Sequence, residues 1–547
     1  MYFAAENQHL IPTKDLLSWT FDDVKYDPNE PIYIDAKNAS NSISSNQARV
    51  LIRKLVAGLR AAGLKKGDCV CLASFNDIHY PILFLGIIAA GGIFAGTNPS
   101  YTQFELIHHI KTAKAQFLIT EPEMLKPVLT AAKECSIPES KVWIFDVLGQ
   151  TLPDGFKSWR DLLNHGEEDW VRFNDEKTCK ETTAARLFSS GTTGLPKAAM
   201  LSHHNFISQH TLVHEYEPKD WETRRILSLP MFHAACVPVA HTTPLRSGHV
   251  SVVCRRFELE HFLATIEKFK IREVGIVPPI AVAMIMSDIT PNYSLESVRQ
   301  VTVGAAPLGK DSQMRLRQLL PPGAFCTQVW GMTELSCIAS MFHYPEDDET
   351  GSVGHMLPNL DAKIVDDNDK DITDFDVRGE LCIRGPVVIK GYFDNPKANA
   401  ESFDSEGFFK TGDIVYRDSK SKKWYVVDRK KELIKVRAFQ VAPPELETVL
   451  LSHPHIIDVA VIGVKLKGKG DDEHPRAYCV KRPVKESEGL DEVAVKKYCG
   501  ERLAKYKELT GGVRFVQSIP KNASGKILKR VLREEAKAEL DQGRAKL

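Results

Sequence analysis

The residues of this chain that could do chemistry gather first in the stretch LFSSGTTGLPKAAMLSH, Leu187 to His203, where six consecutive residues, Ser189 to Gly194, are Ser, Thr or Gly. Such a run lets the backbone take φ values that other residues resist, exposes consecutive N–H groups and adds hydroxyl donors. Those groups wrap a polyphosphate, and Lys197 just behind them adds charge. Arg186 to Phe188 reads as the end of a strand and HHNFISQH, from His203, as the start of a helix. The loop is therefore expected at a strand-to-helix junction, a place anions favour. On composition alone a Ser/Gly linker fits equally well.

Two other stretches imitate known sites. GAAPLGKD, Gly304 to Asp311, matches the phosphate-loop pattern GxxxxGK[ST] except at its last position, where Asp311 would repel a triphosphate instead of offering a hydroxyl to magnesium. His210 and His214 stand four apart, but the glutamate of an HExxH zinc site is missing, and such lone pairs are usually structural. No zinc site is expected. Near the C-terminus, Lys526 in PKNASGKILKR is by default a solvated charge.

These residues need elements to position them. Short β-rich runs (CVCLASF, AQFLIT, KVWIFDV, RILSLP, HVSVVC, EVGIVPP, VRQVTVG) alternate with helical patterns (YPILFLGIIAAG, LEHFLATIEKF, DSQMRLRQLL). That alternation predicts an α/β fold with largely buried sheets. From Gly379 the strands shorten, and after about Lys431 the runs IIDVAVIGV, RAYCVKR and EVAVKKYCGERLA suffice for a small α+β unit. At 547 residues the chain exceeds one core, so two domains are expected, 1–430 and 431–547, with the boundary near Asp428 to Lys431. Asn164 to Ala185 reads as a surface connection into the Ser/Gly loop.

Composition narrows the partners. Lys plus Arg and Asp plus Glu both count 71, and no basic stripe carries interleaved aromatics, so nucleic acid is not expected. The eleven cysteines are scattered without a CxxC, as suits reduced thiols in an intracellular compartment. The N-terminus lacks the features of a secretory signal. Tyr80 to Gly96 is apolar but short for a membrane span and broken by Gly91 and Gly92, so a buried helix is expected and no span. The ending Ala545-Lys546-Leu547 resembles a peroxisomal address, which predicts a peroxisomal import receptor as partner and, failing that, a cytoplasmic protein.

Taken in order, SSGTTGLPK, PMFH, VPP, GAAPLGK, QVWGMTE, GSVGHMLPN, GELCIRG, YFDN, KTGD, DRKKELIKVRAFQVAPPELE and PKNASGKILKR resemble the adenylate-forming superfamily, nearest its 4-coumarate:CoA ligase and luciferase branch. The resemblance runs from Gly63 to Arg530. It implies a large multi-layer N-terminal domain of sheets flanked by helices and a small mobile α+β lid. It also implies a reaction: a carboxylic acid, ATP and CoA give acyl-CoA, AMP and pyrophosphate through an acyl-adenylate. An alternative within the family forms the adenylate without using CoA, as luciferases do or for a separate carrier protein.

By the same resemblance, Ser189, Ser190, Gly191, Thr192, Thr193, Gly194 and Lys197 would hold the β- and γ-phosphates. Thr333 would bond the α-phosphate and Glu334 would bind Mg²⁺, which prefers carboxylate oxygen. Asp413, helped by Arg429, would accept from the ribose hydroxyls. Gly304, Ala305 and Ala306, with Gln328, Gly331 and Met332, would surround the nucleotide. Trp330, where relatives more often have Tyr, would keep a flat face for adenine. Lys526 would bridge carboxylate and α-phosphate, stabilising charge that develops in the transition state. Lys431 falls at the family's hinge, and His233 stands where relatives gate the acid pocket.

Three departures from the family bear on function. PKAAM after the loop replaces the commoner PKGV and should only stiffen its exit. Among the residues implied to meet CoA, Arg437, Ala438 and Phe439, alanine replaces the usual glycine, and its methyl narrows the expected path of the thiol. The positions implied for the acid pocket are Ala235, Val239, Val277, Pro279, Val303, Gly331, Cys337, Ile338 and Val353. They give an apolar lining short of donors for a ring hydroxyl, which favours a medium-chain or aryl-substituted acid over a hydroxylated cinnamate.

Overall fold

A computed structural model describes residues 1–547 except 190–195, 217–218, 306, 307, 309, 367, 430–433, 438, 442, 467–471, 521–528 and 543–547. Ser190, Gly191, Thr192, Thr193, Gly194, Ala306, Lys431, Ala438, Lys526 and the Ala-Lys-Leu ending lie outside the described residues, and for Pro279 and Arg429 only the backbone is described.

The chain divides into two compact units, one of Met1–Pro99, Ile110–Phe188 and Ala198–Asp428, the other of Ser100–His109, Ser189–Lys197 and Arg429–Leu547. The larger unit is built on two sheets of seven strands each among the described residues. One runs, in spatial order, Lys157–Ser158, Val142–Ile144, Ala115–Thr120, Cys69–Ala73, Ile93–Thr97, Thr183–Ser189 and Lys197–Ser202. The other runs Phe325–Gln328, Gln300–Val303, Glu273–Ile276, Arg224–Leu227, Val250–Val253, Pro31–Asp35 and Ser42–Ser44, parallel throughout except at its last pair. Two smaller sheets follow, one of Trp330–Met332, Cys337–Met341 and His355–Met356 and one of Asp361–Val365, Gly379–Arg384, Phe409–Arg417 and Trp424–Arg429; the strands from Gly379 do not shorten as expected, Phe409–Arg417 running to nine residues.

Helices cover these sheets for reasons visible in the residues. Ser45–Ala61 starts in a reciprocal cap, Ser44 accepting from the Gln47 N–H while the Gln47 side chain accepts from the Ser44 N–H. Its Ala48, Ile52, Leu55, Val56 and Leu59 recur on one face and are buried. Tyr80–Ala89 is apolar all round, and all ten of its residues are buried. The two helices approach closely at Gly86, where an added Cβ would lie 2.6 Å from Leu55 Cδ1. Among the described residues no helix is long and apolar enough to cross a membrane.

Two expectations need correction. The Ser/Gly loop does not lead into a helix: it joins the strands Thr183–Ser189 and Lys197–Ser202, adjacent in one sheet, and the helix His203–His210 begins only after the second. The expected junction put the helix one element too early, since the strand Lys197–Ser202 comes between the loop and that helix in sequence. The Asn164 to Ala185 stretch is also less of a connection than its polarity suggests. Trp170 is 3% exposed and donates to Ser18 Oγ at 3.0 Å, a short helix forms over Glu176–Glu181, and the strand starts at Thr183.

His210 packs its edge on Trp19 and bonds Thr243 Oγ1 at 3.0 Å. All eleven cysteines are free thiols, and all but Cys135 are buried.

The smaller unit has a two-stranded hairpin, Ile434–Val436 with Phe439–Val441, and a sheet of Ile456–Lys465, Glu473–Lys481 and Gly512–Phe515. Helices Pro443–Leu451, Glu492–Gly500 and Lys529–Gln542 accompany that sheet. Within this unit Lys507 is buried between two carboxylates, Glu105 at 2.6 Å and Glu445 at 2.8 Å, which offsets the cost of taking its charge out of water.

Candidate active site

The parallel sheet supplies the first part of the site. Ile276, Val303 and Gln328 lie side by side in register at the C-terminal ends of three neighbouring strands, and parallel sheets bind ligands beyond those ends. Val277, Val303 and the turn at Gly304 and Ala305 follow there. Ala305 has φ +67°, a left-handed conformation that non-glycine residues adopt at a cost of about 1 kcal/mol. Gln328 shapes this segment with its side chain: Oε1 accepts from the Leu308 N–H at 2.7 Å while Nε2 donates to the Leu308 carbonyl at 3.2 Å.

The second part is a tight hairpin, Trp330–Met332 against Cys337–Met341, whose turn is the single helical turn Thr333–Leu335. Gly331 is required by the pairing, because a Cβ there would lie 1.7 Å from the Cys337 carbonyl oxygen. Glu334 is 3% exposed. Its carbonyl accepts from the Ile389 N–H at 3.0 Å and its Oε1 from the Tyr392 hydroxyl at 2.7 Å. Burial, then the Glu334 charge, pushes the Tyr392 hydroxyl far above its ordinary pKa, so it stays a donor. Asn399 holds Tyr392 in turn, accepting from its N–H at 2.7 Å and donating to its carbonyl at 3.0 Å. Asp413 stands on the Phe409–Arg417 strand and accepts from the Trp330 indole N–H at 2.8 Å.

The third part carries His233. Met231, two residues before it, has both backbone groups clamped: its N–H donates to Asn76 Oδ1 at 2.9 Å and its carbonyl accepts from His241 Nε2 at 3.0 Å. Asn76 also donates to the carbonyls of Leu229 at 2.9 Å and Cys254 at 3.1 Å. Past this clamp the chain turns, and the Ala235 N–H donates to His233 Nδ1 at 3.2 Å. That bond requires the proton of the neutral ring on Nε2. The His233 side chain is exposed on one side, yet the protein around it desolvates the ring and lowers its pKa.

The described side chains expected for the acid pocket fall into four packed groups. Ala235 and Cys337 meet directly, the thiol donating to the Ala235 carbonyl at 3.5 Å. Ile338 and Val353 pack in the cluster that contains Trp330, while Val277 and Val303 belong to the core under the parallel sheet and Val239 to the core of the other. Ser189 closes one of the two strands that flank the loop and Lys197 opens the other. In the smaller unit, Arg437 is exposed at φ +54° and Phe439 stacks on Tyr506 with ring centroids 3.9 Å apart.

Sequence reasoning passes over Asn76, His241 and Gln209, whose amide brackets the backbone of Ile338 with two bonds of 3.0 Å. None of these three stands in a pattern of spacing that announces it.

Family models match most of the chain: an AMP-binding enzyme domain over residues 21–393 and an AMP-binding enzyme C-terminal domain over 445–526. A phenylacetyl-CoA ligase of Aspergillus niger is 54% identical over 544 residues, covering 99% of this chain and all of the relative. An acyl-CoA ligase of the same species is 53% identical over 97% of this chain and all of the relative. Among solved structures, ATP-bound MatB from Rhodopseudomonas palustris superposes with a TM-score of 0.68 at 26% identity, over 96% of this chain and 99% of that one. The chain belongs to the AMP-binding enzyme family, in the acyl-CoA ligase branch of the adenylate-forming superfamily.

Proposed function

We propose that this acyl-CoA ligase activates an aryl-substituted or medium-chain carboxylic acid, with an arylacetic acid of the phenylacetate kind first among them. The apolar lining carries this reading. Ala235, Val239, Val277, Val303, Cys337, Ile338 and Val353 offer hydrocarbon or thiol, and His233 is the one strongly polar side chain proposed beside them. Such a lining accepts a plain ring or chain and leaves a phenol hydroxyl without a partner. The 54% identity to a phenylacetyl-CoA ligase over the whole chain points the same way.

The reaction uses ATP and CoA. In the first half a carboxylate oxygen attacks the α-phosphorus and pyrophosphate leaves. In the second the thiol sulfur of CoA attacks the acyl carbonyl and AMP leaves. We assign the β- and γ-phosphates to the Ser189–Gly194 loop and Lys197, the α-phosphate to the Thr333 hydroxyl, and the ribose to Asp413. Two anions must approach, so donors and positive charge at the phosphates lower the barrier.

Glu334 fits Mg²⁺: it supplies hard oxygen, and Tyr392 fixes its orientation through Oε1. One carboxylate is the donor set expected for an ion held mainly by substrate phosphates, whose charge it offsets. Residues that orient a metal ligand typically contribute 10- to 100-fold in affinity. Tyr392→Phe is therefore expected to raise the Mg²⁺ needed for half-maximal pyrophosphate release about tenfold or more, and to weaken Mn²⁺ binding to the ATP complex, read by electron paramagnetic resonance, by a similar factor. Unchanged Mn²⁺ binding would remove this role from Tyr392.

The reading is tested by pyrophosphate release and thioester formation over phenylacetate, cinnamates, benzoates and fatty acids of increasing length, with and without CoA. The expected result is a preference for unhydroxylated aryl or medium-chain acids, with thioester formed only when CoA is present. A preferred hydroxycinnamate would overturn the acid assignment. Adenylate turnover that ignores CoA and yields no thioester would overturn the hand-over.

A further inference from the structure

We propose that Trp330 is a positioning residue whose indole N–H orients the Asp413 carboxylate and so sets how strictly the enzyme demands both ribose hydroxyls of its nucleotide. The proposal rests on the assignment of the ribose to Asp413. The contact joins residues 83 apart in sequence: Trp330 Nε1 donates to Asp413 Oδ2 at 2.8 Å. The two residues are 8% and 2% exposed, so the bond competes little with water.

Both ends are fixed before they meet. Trp330 sits in the hairpin closed at Gly331, and its ring packs in the cluster of Leu335, Val353, Val415 and Trp424. On the acid's side, the Asp413 N–H donates to Thr411 Oγ1 at 3.2 Å, that hydroxyl donates to the Leu381 carbonyl at 2.7 Å, and the Gly412 N–H donates to Glu380 Oε1 at 3.0 Å. The backbone of Asp413 is held by these bonds. The indole is a donor only, so its bond to Oδ2 has one direction and biases the plane of the carboxylate.

A vicinal diol presents two O–H donors at a set angle and rewards a carboxylate already aimed at both. A carboxylate aimed less firmly would instead adjust to whichever hydroxyl remains, so it would lose less when one is missing. The ring at this position thus governs sugar selectivity through a second residue, without itself having to touch the sugar.

The test is equilibrium binding of ATP, 2′-deoxy-ATP and 3′-deoxy-ATP to the full chain, to Trp330→Phe, to Asp413→Ala and to the double variant. Trp330→Phe is expected to weaken ATP about tenfold, the scale of one hydrogen bond to a charged group. It should weaken the deoxy nucleotides much less, so the preference for ATP shrinks, and the double variant should bind no worse than Asp413→Ala alone. Equal weakening of all three nucleotides marks a packing effect and overturns the proposal, as does no weakening at all. If Asp413→Ala keeps the full preference for ribose, the ribose assignment fails and takes the proposal with it. Should Trp330→Phe not fold, Trp330→Leu keeps apolar bulk and brings no donor, and the same outcomes decide.

Discussion

Replacing Lys526 with alanine is expected to slow acyl-adenylate formation by about 10²- to 10³-fold, the range seen when one preorganised donor to a developing charge is lost. The loss should fall on kcat and on kcat/KM alike, because the charge on the attacking carboxylate and the α-phosphate is shared most closely in the transition state. Lys526 lies outside the described residues, so the expectation rests on PKNASGK, which ends the C-terminal family match at residue 526. Conversion of a supplied acyl-adenylate to thioester needs no such bridge and should change by less than about tenfold. The two halves separate cleanly in single-turnover measurements, one following pyrophosphate from ATP and acid, the other following AMP from synthetic acyl-adenylate and CoA. Lys526→Arg keeps the charge but offers a planar fork instead of a compact ammonium, so an intermediate rate is expected. An adenylation rate unchanged in Lys526→Ala would place the bridging charge elsewhere.

How much of this site was legible in the sequence differs by the range of the contact. The strands Cys69–Ala73 and Ala115–Thr120 announced themselves because buried parallel strands are short, largely apolar runs. The Tyr80–Ala89 helix was legible for a similar reason, its apolar run being long enough for a helix and too short for a bilayer. The strand Lys197–Ser202 was not. Its residues, KAAMLS, carry little β-branched or aromatic character, and the pattern HHNFISQH directly after it drew the helix forward. Partners hidden by distance form a second class. Tyr392 and Glu334 are 58 residues apart, Trp330 and Asp413 are 83, and Asn76 reaches Met231 across 155. All of these but Asn76 stand in or beside a recognisable motif, yet periodicity reports only neighbours along one element. Such pairings become visible when separate strands are brought side by side, which is a property of topology and not of any one segment.

Acid is expected to unfold the larger unit well above the usual carboxylate range, because several of its buried histidines cannot accept a proton while folded. Burial lowers the pKa of His203 and His241 to about 3 and of His204 to about 4. The surroundings explain why. His203 Nδ1 accepts the Leu16 N–H at 3.0 Å, so a proton there breaks that bond. His241 spends its Nε2 proton on the Met231 carbonyl, lies against the Tyr80 and Phe84 rings, and has no hydrogen-bond partner for Nδ1 among the described residues. An unfolded histidine titrates near 6.5, so between that pH and the folded value the unfolded chain binds the extra proton. Stability contributed by the neutral ring is fully present above about 6.5 and falls by about 1.4 kcal/mol per pH unit for each such residue as the pH drops. At pH 5 each costs about 2 kcal/mol, and the three together remove a large share of the ~5–15 kcal/mol that holds a typical domain folded. Glu273 works in the same direction in a lower window. Burial alone would raise its carboxyl, but Arg225 and Lys219 outweigh that and hold it far below its ordinary value, so its contribution is lost only below about 4.5. Denaturant midpoints measured at pH 7.5, 6 and 5 should therefore fall, most steeply between pH 6 and 5. His241→Gln keeps an N–H for the Met231 carbonyl and removes one titrating group, so it should flatten the slope between pH 6 and 5 by about 1.4 kcal/mol per unit. A slope equal to that of the unaltered chain would show that His241 already takes up its proton in the folded state, and with it that the clamp on Met231 is looser than its hydrogen bonds imply.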